Sequence, residues 1–102
     1  MFDVDDEGFL TSPDDWSREF AASVAADEGL SLTAAHWELI DVTRQFYAQY
    51  GFSPSMRALV KFVGMSLGAD KGNSLYLMKL FPPSPARQLS KFAGLHKPKN
   101  CL

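Results

Sequence analysis

Cysteine is almost missing from this 102-residue sequence: there is one, Cys101, the next-to-last residue. A single cysteine excludes an intramolecular disulfide. One cysteine with two histidines, His36 and His96, falls short of any zinc-ligand spacing, so no metal site and no cofactor is expected. Long apolar runs are missing too, since none approaches the ~18 residues that span a bilayer, and no membrane role is expected. The acidic start Met1-Phe2-Asp3-Val4-Asp5-Asp6-Glu7 is the opposite of the basic lead of a secretory signal. These absences together predict a cytoplasmic protein in a reducing compartment.

Each half of the chain lacks charge of one sign. Residues 57–102 hold one acid, Asp70, against eight bases, and residues 1–56 hold two bases, Arg18 and Arg44, against eleven acids. The net charge of −2 is therefore −9 followed by +7. Two readings stay open: the basic half faces an anionic partner such as RNA, DNA or an acidic protein surface, or the halves pair within the fold. With 46% hydrophobic and 13% aromatic residues, the chain can bury one modest core.

The pattern predicts a mainly α domain of about five short helices in an orthogonal bundle, with at most a small β-hairpin among the first dozen residues. Ser12-Pro13-Asp14-Asp15 gives a first helix start, cap then proline then acids, with Trp16, Phe20 and Val24 as its apolar stripe and Gly29 as its stop. Thr33 opens the next helix, which spreads Trp37, Leu39, Ile40, Val42, Phe46, Tyr47 and Tyr50 over more than one face. It reads as the central helix. Ser53-Pro54 opens a third with Leu59, Val60, Val63 and Leu67, as far as Gly68. Asn73 caps a fourth carrying Leu75, Tyr76, Leu77, Met78 and Leu80, ended by Pro82-Pro83. Ser84-Pro85 opens the last, with Leu89 and Phe92 inward and Gly94-Leu95 as a Schellman-type ending.

The expected division is a helical domain over 1–94 and a mobile C-terminal arm over 95–102. Cys101 stands seven positions beyond Gly94, so a fully extended arm reaches roughly 25 Å at about 3.5 Å per residue. Lys97 and Lys99 favour the Cys101 thiolate while the terminal carboxylate opposes it, which leaves a modest net effect. High reactivity must then come from a partner's pocket. That favours a carrier over a self-sufficient enzyme. A Cys-His catalytic pair needs an imidazole held in place by the fold, and His96 stands on the arm itself. His36 reads as a surface or helix-capping residue, and Trp16, Trp37, Phe46, Tyr47 and Tyr76 as core. A competing reading is a helix-turn-helix DNA-binding protein using Lys71, Asn73, Ser74 and Lys79. The plainer account is that these residues cap and solvate a short helix.

The chain resembles the DsrC/TusE family of small sulfur carriers. The resemblance rests on Leu32-Thr33 with His36-Trp37-Glu38, Arg44-Gln45-Phe46-Tyr47, Ser53-Pro54 with Arg57, and Lys71-Gly72-Asn73-Ser74 with Tyr76-Leu77. Its most specific part runs Leu80-Phe81-Pro82, Pro85-Ala86, Lys91, Ala93-Gly94-Leu95, Lys97-Pro98 and Cys101 before one aliphatic residue. It implies a sulfurtransferase in the relay sense, a helical domain whose penultimate cysteine carries sulfur as a persulfide on a mobile arm. Members that work with dissimilatory sulfite reductase have a second cysteine eleven positions earlier, where this chain has Ser90. Serine forms no S–S bond, so the chain looks like the TusE branch, which relays sulfur from a TusBCD-type complex to an MnmA-like thiouridylase acting on tRNA wobble uridine. A DsrC-like role in dissimilatory sulfur metabolism is the alternative within the family. The chain departs from the usual pattern at His96, where the family has proline, and at Ser84, where it has glycine. Losing the proline frees the backbone of the arm.

Overall fold

The computed structural model describes residues 2–98. Five α-helices follow one another: α1 (Arg18–Glu28), α2 (Ala34–Tyr50), α3 (Met56–Leu67), α4 (Ser74–Leu80) and α5 (Pro85–Phe92). The five-helix expectation holds. Ahead of them, the described residues form no strand, and the hairpin shrinks to one antiparallel bridge, Val4 to Leu10. The cause is in the side chains: Phe9 and Leu10 are adjacent and both buried, whereas a strand would turn neighbours to opposite faces.

Two helix starts are displaced from their expected positions. Ser12-Pro13-Asp14-Asp15 makes only a single 3-10 turn, Pro13–Asp15, after which Trp16 is extended (φ −65°, ψ 144°) and Ser17 caps α1 by accepting from the Phe20 N–H. Trp16 therefore leaves the helical stripe, because its indole is claimed by the far end of α5, as described below. Phe20 and Val24 remain as buried residues of α1. For α3 the cap is Ser55, which accepts from the Ala58 N–H at 3.3 Å. Ser53 is diverted: its hydroxyl donates to the His96 carbonyl.

The other boundaries fall where the sequence puts them. His36 closes the start of α2, its Nδ1 accepting from the Thr33 N–H at 3.1 Å while Nε2 meets the Leu80 carbonyl at 3.0 Å. This pattern fits a ring proton on Nε2. His36 is thus a buried capping residue that ties α2 to the end of α4, with Phe81 edge-on to the ring at 5.1 Å. Asn73 caps α4 through Oδ1 to the Tyr76 N–H at 2.8 Å.

The central helix is α5, not α2. Although only eight residues long, α5 packs against each of the other four, whereas α2 lies mainly against α3 and α5. The small residues Ala86 and Ser90 on its inward side allow that close approach, and Leu89 and Phe92 beside them are fully buried. The two cores named by the sequence for α5 are therefore correct. Along α4 the apolar run is misleading: Leu77 is sealed while Leu75 is 84% exposed and Met78 is also outside.

Ser90 is fully buried and its hydroxyl has no hydrogen-bond partner. Leaving a buried hydroxyl unpaired costs on the order of 1–3 kcal/mol, and alanine is also the better helix former. Ser90→Ala should therefore stabilise the protein by about 1 kcal/mol and raise the unfolding midpoint by about 5 °C. Thermal unfolding followed by circular dichroism checks this, and an unchanged or lower midpoint contradicts it.

Candidate functional site at the root of the C-terminal arm

The expected site residue, Cys101, lies outside the described residues, but the structure describes the chain leading to it as far as Pro98. The C-terminus of α5 is closed by a Schellman pair. The Leu95 N–H bonds to the Ser90 carbonyl at 2.9 Å and the Gly94 N–H to the Lys91 carbonyl at 3.2 Å, with Gly94 at φ +74°. Leu95 then enters the core with no exposure at all. This is the ending the sequence predicts.

The next two carbonyls of this turn are taken by side chains from distant parts of the chain. Trp16 donates its indole N–H to the Phe92 carbonyl at 2.8 Å, and Arg44 donates Nη1 to the Ala93 carbonyl at 2.6 Å. The guanidinium also lies over the Trp16 ring, 4.4 Å from its centroid. Partial burial lowers the Arg44 pKa, which Asp14 and Asp41 partly offset, and a guanidinium remains charged throughout the accessible range. Trp16 and Arg44 form a clamp on the last turn before the arm. Helix C-terminal carbonyls carry partial negative charge, so a cation is well placed there.

Beyond Leu95 the chain stays in contact with the body. The His96 carbonyl accepts from Ser53, Lys97 reaches Glu7 at 3.1 Å, and Pro98 is buried. His96, Lys97 and Pro98 line one wall of a half-open cleft of about 720 Å³, and Gly51, Phe52, Ser53, Ser55 and Ala58 line the other. Phe52 is 58% exposed, so this wall offers an aromatic face to whatever enters. The wall has its origin in the turn between α2 and α3, where Gly51 ends one helix and Ser55 starts the next.

Half of the bases in the second half of the sequence are met by acids of the first within the fold. Each of the four ion pairs among the described residues joins a base of the second half to an acid of the first: Lys71–Glu38 at 2.8 Å, Arg87–Glu7 at 2.7 Å, Lys91–Glu28 at 3.1 Å and Lys97–Glu7 at 3.1 Å. All are at least partly exposed, so each contributes modestly. Their value lies in position, since Glu7 ties the N-terminal segment to both α5 and the arm. Lys71 and Asn73, two of the residues that a DNA reader would use, are occupied by Glu38 and by the α4 cap. Lys71 is held above its ordinary pKa by the Glu38 hydrogen bond.

Arg87, and after it Lys97, hold the Glu7 carboxyl below its ordinary pKa of 4.5. A depressed carboxylate pKa contributes stability above its ordinary value that is lost as the pH falls through the folded value. The contact between Glu7 and the arm should therefore persist at neutral pH and release below about pH 4.5. An NMR titration should show the Lys97 and Arg87 side-chain signals moving together with a midpoint under 4.5, and Glu7→Gln should abolish that movement. A midpoint above 4.5 contradicts the pairing.

The clamp, the cleft and the role of Glu7 were not foreseen from the sequence. Arg44 and Trp16 lie 28 positions apart and neither has a local partner that would reveal the pairing. The signal for Trp16 was the second serine, Ser17, which competes with Ser12 as the helix cap.

A family model described as DsrC-like protein matches residues 1–102. The chain is 49% identical over 99 residues to the sulfurtransferase TusE of Sodalis glossinidius, spanning 97% of this chain and 92% of that protein. It is 48% identical over 100 residues to the sulfurtransferase TusE homologue of Haemophilus influenzae, spanning 98% and 92%. Among solved structures, DsrC of Allochromatium vinosum superposes with a TM-score of 0.87 at 45% identity, covering 97% of this chain and 88% of that one. The oxidised γ-subunit of dissimilatory sulfite reductase from Archaeoglobus fulgidus gives 0.78 at 33% identity, covering 97% and 90%. In sequence across its whole length and in the arrangement of its five helices, the chain belongs to the DsrC-like family.

Proposed function

We propose that this protein is a sulfur-relay sulfurtransferase that carries sulfur as a persulfide on Cys101 and delivers it toward 2-thiolation of tRNA wobble uridine. The observation that carries the reading is near-full-length identity of 44–49% to proteins named sulfurtransferase TusE, in a chain whose one cysteine is its penultimate residue. The transfer balances without an outside oxidant. The Cys101 thiolate attacks the outer sulfur of a donor persulfide, one S–S bond forms as another breaks, and the donor thiolate leaves. The same exchange in reverse passes the sulfur onward.

The proposed donor is a TusBCD-type complex and the proposed acceptor an MnmA-like thiouridylase with its tRNA. The proposed working part is the arm, residues 95–102, carried by the domain 1–94. No helix among the described residues is long and apolar enough to cross a membrane. The cytoplasm is the proposed compartment, because a persulfide relay needs a thiol kept reduced. Ser90 argues against the two-cysteine chemistry of a carrier serving dissimilatory sulfite reductase. The occupied Lys71 and Asn73 argue against the helix-turn-helix reading.

The test is to incubate the protein with a cysteine desulfurase and the donor proteins and map the product by mass spectrometry. One added sulfur on the peptide that contains Cys101 is the expected result. No adduct, or an adduct that survives Cys101→Ser, overturns the proposal.

A further inference from the structure

Among the described residues, every lysine and arginine outside α3 and α4 and the loop joining them to the rest has an ion-pair, hydrogen-bond or ring partner, as does Lys71 within that loop. The bases left without one are Arg57 and Lys61 on α3 and Lys79 on α4. The same two helices carry no acidic residue. They also bear the two most exposed large apolar side chains among the described residues, Leu75 at 84% and Met65 at 67%, and the exposed Met78.

These residues fall into two stripes. Arg57, Lys61 and Met65 are spaced i, i+4, i+8 along α3, and Leu75, Met78 and Lys79 are spaced i, i+3, i+4 along α4. The chain between the stripes is held to α3 by a backbone contact. A Cβ on Gly72 would lie 2.3 Å from the Gly64 Cα, so the loop before α4 rests directly on α3 one residue from Met65. At its other end the α3 stripe meets the cleft, since Ser55 and Ala58 on either side of Arg57 line it.

We propose that this joint face of α3 and α4 is the docking surface for an acidic protein partner with an apolar patch at its centre. The inference rests on the relay reading and adds to it the chemistry of the partner. Unpaired bases complement acids and speed encounter, while Leu75 and Met65 supply the apolar area that a phosphate backbone would not use. The other bases among the described residues already have partners within the fold. A partner seated here touches the lip of the cleft lined by His96, Lys97 and Pro98, the last of them three positions before Cys101 in the sequence, which puts its sulfur site within reach of a short tether.

The test uses the full chain and the TusBCD-type donor complex as probe. Lys61→Glu with Lys79→Glu should weaken binding about tenfold or more at low salt and flatten its salt dependence, and Leu75→Ser should weaken it about fivefold with the salt dependence kept. Direct loading of Cys101 by inorganic polysulfide should be unchanged in all variants, because it needs no docking. Equal binding by wild type and variants, with wild type still loaded, overturns the surface alone. A wild type that takes no sulfur from the complex overturns the relay reading and the surface with it. Loss of tRNA binding in the charge-reversed variant, with donor binding kept, makes the face an RNA surface and overturns the proposal.

Discussion

Gly94→Ala should cost the fold about 3 kcal/mol and lower its unfolding midpoint by about 15 °C, far more than a surface glycine-to-alanine change. Two terms add. An alanine at φ +74° bears the left-handed penalty of about 1–2 kcal/mol. Its Cβ would also lie 2.5 Å from Trp16 Cδ1 and 2.9 Å from Trp16 Cβ. The indole has nowhere inexpensive to go, because it is bonded to Phe92 and stacked under Arg44. Moving it breaks the clamp on the arm root.

A matched control separates these two terms. Gly29 ends α1 with the same pair of backbone bonds and a similar φ of +68°, yet a Cβ there meets nothing within 4 Å. Gly29→Ala should therefore show the backbone penalty alone, about 1 kcal/mol. The difference between the two variants is the worth of the Trp16 contact. Equal midpoints for the two would mean that Trp16 yields without cost and that the clamp is slack.

The contrast between these two glycines marks what was legible in the sequence. Local rules found both helix ends, the α4 cap at Asn73, the start of α2 at Thr33 and the buried pair Leu89 and Phe92, because each depends on neighbours within one turn. They failed where a distant group outbid a local one. Ser12 and Pro13 have every feature of a helix start, but continuing that helix would keep Trp16 from the Phe92 carbonyl, and the fold favours the tertiary bond. Ser53 loses its capping role to the His96 carbonyl for the same reason. The apolar run of α4 could not reveal that Leu75 faces outward, since a seven-residue helix is too short for periodicity to separate its faces. The charge split was visible at once. Its resolution into pairs such as Lys97–Glu7 needed the fold, because the partners are 90 positions apart.

The largest functional effect should come from Cys101→Ser, which is expected to reduce sulfur transfer and cellular tRNA 2-thiolation to background while leaving the unfolding midpoint unchanged. A serine hydroxyl forms no S–S bond, and the loss should be complete rather than graded. Position matters as well as chemistry. Contacts of Leu95, His96, Lys97 and Pro98 with the body leave two residues, Lys99 and Asn100, between the last of these anchors and the sulfur-bearing residue, a reach of about 10 Å over three chain steps instead of the roughly 25 Å available from Gly94. Deleting Lys99 and Asn100 should therefore cut donor-driven loading at least tenfold, since it shortens that reach by about 7 Å, while polysulfide still modifies the thiol. Glu7→Gln combined with Ser53→Ala should restore part of the lost loading by releasing His96 and Lys97 to lengthen the tether. If the deletion is harmless, the root is not an anchor. If thiolation persists in cells with Cys101→Ser, the sulfur travels by another route and the relay assignment falls.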